Sequence, residues 1–304
     1  MAIEIISKSP SQVLIGISSK KREELEDVSI QVATGNKYPT YERMAAGGEV
    51  EKYISLRSTN DGLTDYIRSN ELISSRVKTM RQSIDDLSEI ASEYAQLVAN
   101  RRNDAVGTNL PVLETGRALL DRIANNLNIK FDGRYLFAGS KTNTAPVSNI
   151  QTSNIGNDNL ANTRYYAGDS VKATVRSSDT QEVEYGILAN ESAFQKLIGA
   201  IHLGMDGHTN EDDTKLSQSM DMINEAIVEL TSVRTSASST ITNIDNTIIN
   251  LENTQQLISE NLGEVGNVDI VEASTRLSEL DAIVQASFLA YNRLSRLQLS
   301  NFLN

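Results

Sequence analysis

The sequence has no cysteine and no tryptophan, two histidines, four prolines, and only 5% aromatic residues. The missing thiols exclude disulfide staples, Cys-ligated metal and thiol catalysis together. They leave the compartment open, because cytosolic proteins and exported proteins that avoid disulfides both lack Cys. At 39% hydrophobic residues over 304 positions, with Asn, Ser and Thr abundant, a thick core is not expected; thin helical bundles suit the composition. No run approaches the ~18 apolar residues of a membrane span. The N-terminus MAIEIISKSPSQVLIGISS lacks the basic region, apolar core and small-residue cleavage site of a secretory signal. The formal net charge is -12, and the one short basic run, Lys20-Lys21-Arg22, meets Glu23-Glu24 at once. It reads as a solvated helix face and not as a phosphate-binding patch, so neither nucleic acid nor membrane insertion is expected.

Signs of chemistry are equally sparse. His202 and His208 fall in IHLGMDGHTNEDD beside Asp206, Asp212 and Asp213. That stretch matches neither a zinc motif nor the alternating ligands of an EF-hand loop, and reads as a polar loop ahead of a helix. AAGGEVEK lacks the Lys and Ser/Thr of a phosphate loop, and no nucleophile elbow is present. Asp85 and Asp86 adjoin a heptad seam, where a solvated face is the default. The expectation is no enzyme, no metal and no cofactor.

What the sequence has is periodicity. Ile73, Val77, Met80, Ile84, Leu87, Ala91, Tyr94 and Val98 step by four and three without a slip, which is an a/d seam. A second seam runs from Ile241 through Ile244, Ile248, Leu251, Gln255, Ile258 and Leu262 to Val265, with Gln255 as an interruption. Each is the obvious partner for the other. A helix is expected from Leu113 to Ile129 with Pro111 before it. Another is expected from Thr214 to Ser232, with RTSASSTIT able to carry it on into the second seam. Both chain ends carry stripes as well. The first is patchy, through Val13 or Leu14, Ile17, Leu25, Val28 and Val32 to Gly35; the last runs through Ala273, Leu277, Leu280, Val284, Ser287, Tyr291 and Leu294 to Gln298. As lone amphipathic helices these ends would expose an apolar stripe, so they call for partners, either each other or further copies.

The pattern breaks at FDGRYLFAGSKTNTAPV, residues 131–147, where Phe131, Tyr135 and Phe137 are bracketed by Gly133 and Gly139. From there to about Tyr185 the signals are turns and short strands. The chain thus reads as nested: ends outermost, long helices next, a small β insert in the middle.

These pieces resemble the flagellin superfamily, closest to its hook-filament junction proteins. FDGRYLFAGSKTNTAPV is similar to the segment leading from the helical rod into the insert, and YYAGD to a short motif inside it. The tail VDIVEASTRLSELDAIVQASFLAYNRLSRLQLSNFLN, residues 268–304, resembles the shared C-terminal coil, and LEDVSIQVATGNKY the N-terminal helix with its turn. One departure is NKYPTYERMAAGGEVEK, which stands where members carry a Ser-Asp-Asp-Pro-like stretch; it puts the local conformation there in question.

The resemblance implies a mainly α fold: an elongated antiparallel coiled-coil or helical-bundle rod built from the N- and C-terminal segments, with a small β-rich insert. Residues 1–45 and 267–304 would be a terminal coiled-coil pair forming the assembly core, 46–130 and 210–266 the rod, and 131–209 the insert. It implies a structural axial protein of the bacterial flagellum, an adaptor at the hook-filament junction. A flagellin forming the filament itself, and a carbohydrate-binding or hydrolytic surface protein, are the alternatives. The implied partners are copies of the chain, hook-associated protein 1, flagellin and an export chaperone. Export would run through the flagellar type III apparatus, to the extracellular flagellum, without a cleaved signal. The assembly contacts expected from the seams are Leu25, Val28, Val32, Leu277, Leu280, Val284, Tyr291 and Leu294, with plain intramolecular core as the competing reading. Phe131, Gly133, Tyr135, Phe137 and Gly139 mark the insert boundary.

Overall fold

In the computed structural model the described residues are 10–103, 110–152 and 163–302. Among them the chain forms seven α-helices: α1 (Pro10–Thr34), α2 (Tyr41–Ala46), α3 (Val50–Asn103), α4 (Val112–Leu127), α5 (Ser192–Thr209), α6 (Asp213–Gly266) and α7 (Ile270–Phe302). Four short strands form two antiparallel pairs, β1 (Lys130–Phe131) with β2 (Arg134–Tyr135) and β3 (Thr174–Arg176) with β4 (Glu182–Glu184). The fold is mainly α, long antiparallel helices with a small β element between them in sequence. Two units divide it, Met1–Gly62 with Thr254–Asn304, and Leu63–Asn253.

The central unit is built on the first seam. All eight of its side chains from Ile73 to Val98 are buried. Their cover on α6 is a heptad row of buried Leu216, Ile223, Leu230, Ala237 and Ile244. Polar pairs at the edges set the antiparallel register: the Ser74 hydroxyl donates to Asp245 at 2.7 Å, and Arg234 pairs with Asp85 at 2.6 Å. The first seam therefore faces mainly the N-terminal half of α6, and only the start of the second seam. The reason is length. α3 begins at Val50, well ahead of its visible seam, so antiparallel pairing carries that seam toward the beginning of α6. The helix expected from Thr214 and the second seam are one uninterrupted element.

α5 corrects the reading of IHLGMDGHTNEDD as a loop, since the helix runs through Thr209. Its glycines read as turn signals in isolation, yet Gly204 serves a close approach. A Cβ there would lie 2.5 Å from the Tyr94 hydroxyl oxygen and 2.8 Å from Ser219 Oγ. Without it, the Tyr94 hydroxyl donates to the Ile201 carbonyl at 3.0 Å and Ser219 Oγ to the Ala200 carbonyl at 2.7 Å. α5 is thus clasped from α3 and α6 through its own backbone. Gly116 of α4 does the same toward Met205 and Ile201 of α5, and the buried Val112, Leu119, Leu120, Ile123 and Leu127 close that side.

The segment 131–147 is a folded boundary. Asp132 and Gly133, with φ of 50° and 73°, make the two-residue turn joining β1 to β2, the backbone that a primed hairpin turn requires. Phe131 and Tyr135 are half-buried, and Lys130 Nζ lies 4.4 Å from the Tyr135 ring centre. Phe137 is fully buried, edge-on to Phe194 of α5 at 6.1 Å. Gly139 (φ 69°) leaves room for Asp169. The Asp169 carboxylate accepts the Ser140 amide at 2.9 Å, the Ser140 hydroxyl, and the Val171 amide at 3.1 Å. Tyr166 donates to the Asp169 carbonyl at 2.6 Å, and Tyr165 to that of Ala189 at 2.9 Å. FAGS and YYAGD are therefore two halves of one knot. Beside it, Asn128 at the end of α4 exchanges two amide bonds with the Val147 backbone, both 2.9 Å.

The terminal unit holds α1, α2, the start of α3, the end of α6 and α7. Where α1 and α6 both stop, Lys37 donates to the Gly266 carbonyl at 2.7 Å and Val268 to that of Gly35 at 3.0 Å. Gly35, at φ 73°, takes the left-handed turn that ends α1. The divergent stretch after it forms α2, whose first turn is capped by Thr40 accepting from the Arg43 amide at 3.3 Å. Tyr41 and Tyr53 rings lie 6.3 Å apart beside it.

Candidate assembly surface on the terminal helices

α1 and α7 pair antiparallel. Arg276 reaches Glu24 at 3.8 Å, and the Arg22 guanidinium sits 4.9 Å from the Phe288 ring centre. Lys21 pairs with Glu24 at 2.7 Å, and Arg43 with Glu23 at 3.0 Å and Asp27 at 3.2 Å. The Glu24 carboxyl is held below its ordinary value, first by the Lys21 hydrogen bond.

Sequence periodicity and burial can be compared residue by residue. Leu280 and Val284 are buried against α1, Leu277 is half-buried, and Leu25, Val28 and Val32 are half-buried opposite. Tyr291 is 40% exposed and lines an open groove of about 500 Å³ with Leu14, Ile15, Arg22 and Phe288. Leu294 lies in α7, its side chain outside the described residues. No described side chain of α1 reaches full burial.

The exposed apolar residues of the two helices are the informative ones. Val13, Ile15, Ile17 and Ile30 on α1, with Ile270, Val271, Ile283, Phe288, Leu289 and Tyr291 on α7, are exposed. Ten of the seventeen exposed large apolar side chains among the described residues therefore sit on this one pair, the kind of concentration from which interaction surfaces are built. Ile17 and Tyr291 lie in the stripes read from the sequence, as does Val13 where Val13 or Leu14 opens the first; a second apolar stripe beside each is the signal that would have found the rest.

The histidines lie elsewhere and serve packing. His202 is inside α5, its Nε2 2.9 Å from the Ile150 carbonyl, and burial holds it below its ordinary value. His208 Nδ1 accepts from Arg101 at 3.0 Å, and burial followed by the Arg101 charge lowers it too. Among the described residues no group of three or more His, Cys, Asp or Glu could hold a metal, and no helix is long and apolar enough to cross a membrane.

Long helices, a hydrogen-bonded central knot and a terminal helix pair with exposed apolar side chains define a mainly helical protein of structural type. The comparisons make the class specific. Residues 9–142 match the bacterial flagellin N-terminal helical region, and residues 220–303 the C-terminal helical region. The chain belongs to the bacterial flagellin family. Solved structures share the fold at low identity. A flagellar hook-associated protein from Vibrio parahaemolyticus matches with a TM-score of 0.59 at 14% identity, over 71% of this chain and 96% of that one. FlgL from Bacillus cereus matches at 0.54 and 13%, over 70% and 99%. FlgL from Xanthomonas campestris matches at 0.53 and 12%, over 68% and 98%. No curated protein matches the sequence closely enough to count as a relative.

Proposed function

We propose that this protein is an axial adaptor of the flagellum, seated at the hook-filament junction, and that the α1–α7 pair is its assembly surface. The observation that carries the reading is the apolar face left open on that pair in a chain of the flagellin family. A pair of helices in which no described side chain of α1 is fully buried gains little from folding alone, so covering its open face offsets the ordering cost only when neighbouring subunits pack there. Assembly and completion of the terminal core are then one event. Residues 1–45 and 267–304 would form that core, 46–130 and 210–266 the supporting rod, and 131–209 the outward insert. The neighbours on the axis would be further copies, hook-associated protein 1 and flagellin, after type III export with a chaperone on the C-terminal segment. The junction role is favoured over filament formation by the hook-associated and FlgL structures that share the fold.

Labelled antibody on intact flagella tests the placement. Signal confined to the hook-filament boundary supports the adaptor, whereas signal along the filament, with polymerisation of the purified chain into long filaments, supports a flagellin.

A further inference from the structure

The seam of α3 does not stop at Ile73. Stepping back by three and then four reaches Asn70 and Tyr66, polar-tipped residues at positions where the pattern asks for apolar ones. Asn70 is fully buried. Its amide nitrogen donates to the Ser177 carbonyl at 2.8 Å, while its own carbonyl oxygen has no partner among the described residues. Ser177 follows β3 and is fully buried, and the Tyr66 hydroxyl donates to the Asp179 carboxylate at 2.9 Å. Against these polar ties, the inward face of the β3–β4 hairpin presents one cross-strand valine pair, Val175 and Val183, both only half-buried.

We propose that the β3–β4 hairpin is a releasable strap across α3 and that Asn70 is its latch. A two-stranded hairpin is marginal alone and needs a docking surface. Here the docking joins these hydrogen bonds to a valine pair that packs against the core only in part, and the docked state carries a buried acceptor that water satisfies once the strap lifts. The latch also reads register, since a slide of α3 by one seam step sets Ile73, which has no donor, where Asn70 stood. An Asn in a heptad seam fixes register at a cost in stability, and in this chain the acceptor it uses belongs to the strap and not to the facing helix. The inference stands on the central unit alone and does not depend on where in the flagellum the protein sits.

Hydrogen exchange on the full chain tests it, reading the amides of residues 174–184 against those of the α3 seam from Val77 to Tyr94. Native hairpin amides are expected to exchange faster than the seam amides, by local opening. Asn70→Leu and Asn70→Ala should each raise the hairpin-to-seam exchange ratio by about fivefold to tenfold, the loss expected for one hydrogen bond. Asn70→Leu should do so without lowering the thermal midpoint, because leucine completes the seam, while Asn70→Ala lowers it. A ratio unchanged in both variants overturns the latch, and native hairpin amides as slow as the seam overturn the strap.

Discussion

The seam of α3 and the stripe of α7 are written in the same steps of three and four, yet they meet different fates. From Ile73 to Val98 every seam residue is buried, because α3 in the central unit is covered by α6 and α5, with α4 closing the far side of α5. Among the described side chains of α7 only Ala273, Leu280 and Val284 are buried, and none of those described on α1 is. A heptad pattern therefore reports that a stripe will be covered, and the number of neighbours decides whether the same chain does the covering. Two helices can shield one line of contact, and the apolar residues to either side of it stay exposed.

The comparison can be broken most severely by removing one of its terms. Deleting residues 268–304 should abolish incorporation into the flagellum, while circular dichroism of the purified truncation still shows a cooperative helical transition from the central unit. A truncation that still joins hook to filament would return the terminal pair to a passive role. Next in size is a change of cover inside the central unit. Leu87→Ala, at a fully buried seam position, should cost about 2–5 kcal/mol in denaturant unfolding. Gly204→Ala, which drives a methyl into Tyr94 and Ser219, should cost about 1–3 kcal/mol. Leu280→Ala on α7 should leave that same transition nearly unmoved if the terminal pair draws its stability from assembly; a cost equal to that of Leu87→Ala would make the pair an ordinary intramolecular core.

Smaller in stability but sharper in meaning are charges on the open face. Val271→Asp and Leu289→Asp, at residues 77% and 64% exposed, should shift monomer stability by no more than about 0.5 kcal/mol, yet reduce incorporation at hook tips. Normal incorporation by both would mean that this face is not an interface.

The least effect is expected from acid at the knot. Asp169 is held below its ordinary value, first by the Ser140 hydroxyl and then by the Ser140 amide. Because the folded value lies below the unfolded one, the support it lends is complete above the ordinary aspartate value of about 3.9 and is lost as pH falls through the lower, folded value. The Ser140 and Val171 amide resonances should therefore move in step on acid titration. In Asp169→Asn that titration should vanish.

Much of this architecture was legible beforehand. The α3 seam, the long helix beginning near Thr214, the boundary at Phe131 and the mainly α class all follow from spacing within a few turns of chain. α5 was not legible, because Gly199, Gly204 and Gly207 imitate a loop until Tyr94 and Ser219 are seen resting where side chains would be. Nor could FAGS and YYAGD, twenty-odd residues apart, announce that Asp169 of one binds Ser140 of the other. On the terminal pair, the α7 stripe includes Leu280 and Val284, which are buried, and Tyr291, which is open, while Ile15, Ile30, Ile283, Phe288 and Leu289 lie outside both stripes and are open too.

Local spacing by itself determined that the long seamed segments are helical and where each stripe lies on its helix. Those properties depend on neighbours three and four residues away, and the sequence holds them explicitly. Only the tertiary structure decided that the first seam of α3 meets the early half of α6, that a buried asparagine answers to a hairpin, and that the terminal pair keeps an apolar face uncovered. Each of these depends on which distant surface wins a given stripe, and that competition is settled by packing among several helices at once.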